Sequence, residues 1–237
     1  MVVEYRKGFP FRSLDWQPRT PEDMQARAQS FYEDMNRRRS VRDFSDRPVP
    51  RQLIELAMRT ASTAPSGAHR QPWRFVAVSD ADIKHAIREA VEEEERKSYH
   101  GRMPPDWLQA IAPMGTYWQK PYLETVPWIV VLFECVQDVD DEGTTRKNYY
   151  VRESVGIAAG MFIAALHHMG LATLTHTPSP MRFLTRILGR PKSERPFVLF
   201  PIGYPADDAM VPDLERKPLE QISIWNPQPA ATDEDSA

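Results

Sequence analysis

One cysteine, Cys135, stands in 237 residues. A single thiol makes no internal disulfide, so a reducing compartment is the simplest setting. It sits in the apolar run 128–136, which points to an inert core residue and not to a reactive thiol in an exposed, cationic niche. Long apolar runs are also missing. The two longest, 128–136 and 156–166, fall well short of the ~20 residues that cross a bilayer. Residues 1–11 lack the basic-then-apolar pattern of a secretion signal. The expectation is a soluble, cytoplasmic protein with no membrane partner. Excess positive charge is absent too: 30 Lys and Arg against 33 Asp and Glu leave a net charge of −3, no footing for a nucleic-acid partner. Neither a Walker loop nor a glycine-rich dinucleotide fingerprint occurs. The six histidines show no compact ligand spacing. His167 and His168 are adjacent and point to different helix faces, so no metal is expected.

What is present is the balance of an ordinary globular domain, 41% hydrophobic and 27% charged. Residues 1–20 read as an irregular arm with no core of its own. Thr20-Pro21-Glu22-Asp23 supplies an N-cap, a proline at the first helical position and acids in the first turn, predicting a helix to about Asn36. A second helix is expected over 51–63, with Leu53, Ile54, Ala57 and Met58 on one face. Residues 64–68 break it. A strand follows over 73–78, then a third helix from Asp80 to about Ser98. Pro104, Pro105 and Pro113 interrupt the stretch 100–120. The run 128–136 reads as a strand buried on both faces, and 151–169, apolar nearly all round, as a central buried helix ended by Gly170. A short strand (172–177), a short helix (182–188) and a last strand (197–202) complete the domain. The tail 226–237, rich in Pro, Ala and acids, reads as disordered. There are too few strands for a doubly wound sheet. The expected fold is α+β, a sandwich of helices on a central mixed sheet completed by a partner chain, with the domain at 21–225.

Arg38-Arg39-Ser40 offers two guanidiniums and a hydroxyl that can grip a phosphate, and Arg216-Lys217 can close on the same anion. Taken alone, a basic triplet is as readily a solvated surface. Pro65-Ser66-Gly67 follows a helix break, where a glycine lets backbone approach a ligand or simply turns the chain. The segment Thr173–Pro178, Thr-Leu-Thr-His-Thr-Pro, ends a strand with three hydroxyls and an imidazole. A lone histidine is more often structural than a base. Glu95 and Tyr99, four residues apart, share a helix face, and Lys120 can fold back toward it. Together they supply an acid for an ammonium and a base for a carboxylate, although Glu92–Glu95 also reads as a solvated acidic face.

These segments, with Gln71-Pro72-Trp73 and Pro201-Ile202-Gly203-Tyr204-Pro205, resemble the nitroreductase superfamily over about residues 22–225. Thr63-Ala64-Pro65-Ser66-Gly67-Ala68-His69, the acidic run ending at Glu95 with Tyr99 and Arg102-Met103 after it, Thr175-His176-Thr177-Pro178 and Val211-Pro212-Asp213-Leu214 are similar to its iodotyrosine deiodinase branch. The resemblance implies a nitroreductase-like, domain-exchanged homodimer with FMN at the subunit interface. It implies Arg38, Arg39, Ser40 and Arg216 on the flavin phosphate and ribityl chain, Pro65, Ser66 and Gly67 along the flavin, and the Thr177 hydroxyl at flavin N5. Glu95, Tyr99 and Lys120 would bind the substrate's amino-acid end from a mobile lid at about 92–120. The Ala68 backbone N–H would meet the phenolate oxygen. The implied activity is reductive dehalogenation of halotyrosines in single-electron steps, with electrons ultimately from NADPH, directly or through a separate flavin-reducing protein. Pro104-Pro105 departs from the family pattern. A general nitro- or quinone-reductase and a non-catalytic flavin-binding protein stay open beside it.

Overall fold

A computed structural model describes residues 3–139 and 142–227. The arm expected to be irregular carries a hairpin instead, β1 (Val3–Arg6) against β2 (Phe9–Arg12). Its turn is Lys7-Gly8, both at positive φ (49° and 82°), the conformation that a two-residue hairpin turn requires. Every residue of both strands is exposed. Helix α1 (Pro21–Arg37) starts where Thr20 accepts the Asp23 N–H at 3.2 Å, with proline at the first position, and none of its residues is buried. Helix α2 (Arg51–Ala61) buries Ile54, Ala57 and Ala61. Strand β3 (Trp73–Val78) leads to α3 (Ala81–Lys97), capped by Asp80 on the Ile83 N–H at 3.0 Å.

A widened turn, Ser98–Arg102, follows, and then α4 (Pro105–Ile111) and α5 (Tyr122–Thr125). Pro105 is the first residue of α4, the position where a missing N–H costs nothing, so the Pro104-Pro105 pair starts a helix as well as breaking one. The remaining elements are β4 (Trp128–Cys135), a small hairpin of β5 (Gln137–Val139) and β6 (Thr145–Lys147), α6 (Val151–His168), β7 (Ala172–Thr173), α7 (Arg182–Ile187) and β8 (Glu194–Gly203).

The main sheet has the order β3-β4-β8-β7, with each pair antiparallel. Its mixed character enters at one edge, where Ser40 makes a parallel bridge to Thr173. β4 separates two cores by its alternation. Val130 and Leu132 pack with Ile54 and Ala57 of α2 and with Val155, Ala159, Phe162 and Leu166 of α6. Ile129, Val131 and Phe133 pack with Ile87 and Val91 of α3, Leu123 of α5 and Leu184 of α7. All five β4 residues are fully buried, as the unbroken apolar run requires. Phe162 anchors the first core between Phe75 and Phe200, ring centroids 5.3 and 5.2 Å away.

Two further expectations change. The strand expected over 172–177 pairs only at Ala172–Thr173, and the ladder resumes as a single bridge between His176 and Leu199. Helix α6 is not buried all round: Gly156, Ile157 and Gly160 are exposed on a helix whose other side lies in the core. The tail expected to be disordered falls outside the described residues beyond Pro227. Among the described residues no helix is long and apolar enough to cross a membrane.

Candidate functional site

Helix α1 ends without a glycine, so its last carbonyls need other donors. Arginines supply them. Arg39 Nη1 donates to the Asn36 carbonyl at 2.9 Å and to the Arg38 carbonyl at 3.1 Å. Arg216 Nη1 reaches the same Asn36 carbonyl (3.1 Å) and the Asn36 side-chain oxygen (2.9 Å), while its Nη2 reaches the Arg38 carbonyl (2.9 Å). Two segments 178 residues apart are thereby joined. The cleft they border holds about 190 Å³ and is lined by Arg38, Arg39, Ser40, Arg42 and Arg216, with Met114, Pro212 and Glu215 among the rest. Burial, then the neighbouring Arg216 and Arg39 cations, pushes the Arg38 guanidinium below its ordinary pKa. Four guanidiniums against one carboxylate fit a dianion such as a phosphate.

Ser66, Gly67 and Ala68 lie elsewhere. Their loop is held against the start of α6: the Gly67 N–H points to Ser154 Oγ at 3.4 Å, and a Cβ on Gly67 would sit 2.8 Å from the Tyr149 carbonyl. The Ser66 hydroxyl accepts the Gln71 N–H at 2.9 Å. Ala68, His69 and Gln71 all take positive φ (49°, 54° and 50°), a costly concentration of left-handed backbone in non-glycine residues. The loop feeds β3 at Trp73, which pairs with Glu134 and through it with Arg195. Ser40 bridges Thr173, which pairs with Ile202 and through it with Trp128. Trp73 and Thr173 mark opposite edges and opposite ends of the four-stranded sheet, separated by roughly 14 Å across the strands and about 20 Å along them, with Ser40 one strand further out. None of Pro65, Ser66, Gly67 or Ala68 lines the arginine cleft.

Glu95, Tyr99 and Lys120 do come together. Glu95 is buried at the end of α3, and Lys120, almost wholly buried, brings Nζ to 3.8 Å from Glu95 Oε2. The same Nζ donates to Thr116 Oγ1 at 3.0 Å and to the Tyr117 carbonyl, and stands 5.6 Å from the centre of the Tyr99 ring. The Tyr99 hydroxyl donates to the Thr116 carbonyl at 3.3 Å. Burial lowers the Lys120 pKa, opposed by Glu95, and raises those of Tyr99 and Tyr122. Thr177 follows His176, whose ring reaches Glu95 Oε1 at 3.2 Å. His176 points inward and Thr175 and Thr177 are exposed, so the Thr177 hydroxyl is on the accessible side.

Two roles were not read from the sequence: the contact of His176, taken there as more often structural than a base, and the place of Arg42. His176 is buried and holds Glu95 Oε1 through Nε2 at 3.2 Å. Arg42 lines the cleft and also acts electrostatically on Tyr99, Lys120, Tyr122 and His176, with its Nε buried and without a hydrogen-bond partner among the described residues. Arg42 therefore stands near both groups. Its only sequence signal was its place in the segment Arg37-Arg38-Arg39-Ser40-Val41-Arg42, with no role of its own assigned.

Comparison with known proteins agrees with this architecture. The Nitroreductase family model matches residues 35–204. An iodotyrosine deiodinase of Haliscomenobacter hydrossis is 57% identical over 204 residues, spanning 86% of this chain and 92% of that protein. The human iodotyrosine deiodinase 1 is 46% identical over 204 residues, spanning 86% and 71%. A solved structure of oxidized iodotyrosine deiodinase bound to FMN and 3-iodo-L-tyrosine superimposes with a TM-score of 0.70 at 29% identity, covering 84% of this chain and 100% of that one.

Proposed function

Because the chain belongs to the nitroreductase family, we propose that it is an FMN-dependent oxidoreductase that removes halogen reductively from halotyrosines. The observation that carries this reading is the convergence of buried Glu95 and Lys120 with half-buried Tyr99 in one group, beside the anion cleft that Arg42 lines. A reductase acting on bare quinones or nitroaromatics has no use for a buried acid and base set side by side. The relatives' names and the FMN and 3-iodo-L-tyrosine of the solved structure point the same way.

Arg38, Arg39, Ser40 and Arg216 would hold the flavin phosphate and ribityl end. When bound, FMN would supply the two electrons that, with one proton, turn an aryl halide into arene and halide. The chain's share is binding and orientation. Glu95 would take the substrate ammonium, Lys120 its carboxylate, and Tyr99 would close over both. The Thr177 hydroxyl would donate at flavin N5. The electrons would come from NADPH, directly or through a separate protein.

The site would be completed by a second copy of the chain. The loop 65–68 stands too far from the cleft to share one flavin within a chain, so Pro65, Ser66 and Gly67 would lie along the flavin of the partner. There the partner's Ala68 N–H would meet the phenolate oxygen, a charge-assisted bond that favours the anion. The exposed Gly156, Ile157 and Gly160 of α6, Leu56 of α2 and Phe31 and Tyr32 of α1 offer apolar surface for such an interface.

The direct test is product analysis. Protein reconstituted with FMN and supplied with chemical reductant should release iodide and tyrosine in equal amounts from 3-iodotyrosine. Nitroaromatic reduction without iodide release would assign it instead to the general reductases of the family.

A further inference from the structure

We propose that His176 is a positioning residue, fixing the Glu95 carboxylate in the orientation that receives the substrate ammonium. This deepens the reading of Glu95 given above and rests on it. The two Glu95 oxygens are divided between partners. Oε1 faces His176 Nε2 at 3.2 Å, and Oε2 faces Lys120 Nζ at 3.8 Å. His176 Nδ1 is buried without a hydrogen-bond partner among the described residues. The ring's single proton therefore belongs on Nε2, where it is donated to Glu95.

The imidazole is held rigidly from the sheet side. His176 exchanges two backbone hydrogen bonds with Leu199 of β8, both 2.9 Å. Its ring stands edge-on to Tyr122 at 6.3 Å, and Tyr122 in turn packs against Phe44 at 6.2 Å. Glu95, by contrast, rides on the last turn of α3, just before the widened turn that opens the lid segment. The bond thus ties the carboxylate on the lid side to the sheet.

A neutral donor suits this task. Burial lowers the His176 pKa, against the opposing pull of Glu95, so the ring orients the carboxylate without cancelling its charge. A lysine or arginine in its place would neutralise Glu95 and compete with the ammonium. The other charged or titratable groups around the ring are Lys120, Arg42 and Tyr122. Lys120 is the mobile counter-charge: it pairs with Glu95 when no ligand is bound and turns to the ligand carboxylate when one is. His176 stays in place in both situations and keeps Oε1 directed.

The test uses the FMN-loaded protein and reads bound-flavin fluorescence on titration with 3-iodotyrosine and with 2-iodophenol. His176→Phe keeps the ring against Tyr122 but removes the donor. It should weaken iodotyrosine binding between about tenfold and a hundredfold, the worth of one hydrogen bond to a charged group. Iodophenol affinity should stay within about twofold, the scatter expected of an uncoupled site. His176→Gln, whose amide reaches the same oxygen, should recover most of the loss. In a Glu95→Gln background, His176→Phe should add less than about twofold. KM for iodotyrosine should rise more than kcat falls. Equal weakening of both ligands, or the full effect persisting in the Glu95→Gln background, would make His176 merely structural and overturn the proposal. If the parent protein itself fails to prefer iodotyrosine, Glu95 is no ammonium site; that failure is visible before any variant is made and removes the proposal at its base.

Discussion

At the end of α1 four guanidiniums crowd around one cleft with Glu215 as the only carboxylate among its lining residues; beneath α3, Glu95 and Lys120 already answer each other, with His176 holding the acid. The first region lacks its counter-charge, and Arg38 feels the repulsion of its neighbours. The second is internally compensated and almost closed to water. The difference teaches what each can bind. An uncompensated cation cluster gains from any dianion, so it suits a resident cofactor. A compensated buried cluster must exchange internal pairs for ligand pairs, and only a ligand bearing both charges does so without leaving one charge buried and unpaired. On the proposed reading, the same logic would make the second region selective at modest affinity.

The comparison breaks most visibly if the arginines serve only to cap α1. Arg38→Ala with Arg216→Ala should weaken FMN binding on the order of a hundredfold to ten-thousandfold, two charged hydrogen bonds' worth. Flavin content after dialysis and a fluorescence titration measure it. Unchanged FMN affinity would leave Arg216 a helix cap and take Arg38 out of the phosphate site.

Removing one partner in the compensated region should act on substrate and spare the cofactor. Lys120→Ala should lower iodotyrosine affinity by about tenfold to a hundredfold and leave FMN binding and iodophenol affinity near the parent's. Loss of FMN instead would merge the two regions into one.

Thr177→Ala is expected to have a smaller effect, about twofold to tenfold on dehalogenation relative to nitroreduction, since one neutral hydroxyl is removed. Parallel assays on the two substrates give that ratio. An unchanged ratio would detach Thr177 from flavin N5.

Acid pH separates the regions most gently. A histidine whose folded pKa is lowered takes up its proton more readily when unfolded. Its contribution to stability is therefore complete above the ordinary value near 6.5 and is lost as pH falls below it toward the folded value. Thermal melts at pH 7.5 and 5.5 should show a larger drop for the parent than for His176→Gln. Equal drops would mean that the ring is not held neutral.

How much of this the sequence showed depended on whether the signal was local. Thr20-Pro21 and Asp80 mark helix starts by their own chemistry, and both caps are present. The apolar run of β4 could only be buried on both faces, and it is. The hairpin at the N-terminus was missed because four-residue strands give almost no periodicity, and its signal, Lys7-Gly8, is a backbone conformation. The exposed side of α6 was misread because Gly156, Ile157 and Gly160 count as apolar whether they face a core or a second copy. Glu95 and Tyr99 were legible by their helical spacing. The bond from His176 to Glu95 was not, because 81 residues separate them and only the register of β8 against the 172–176 segment brings them together.

The central claim is that the buried cluster reads an amino-acid zwitterion. Titrating the FMN-loaded protein with 3-iodotyrosine and with 2-iodophenol under one buffer tests it most directly. Losing two charged contacts predicts weaker iodophenol binding by on the order of a hundredfold to ten-thousandfold. Equal affinity for the two ligands would contradict the account.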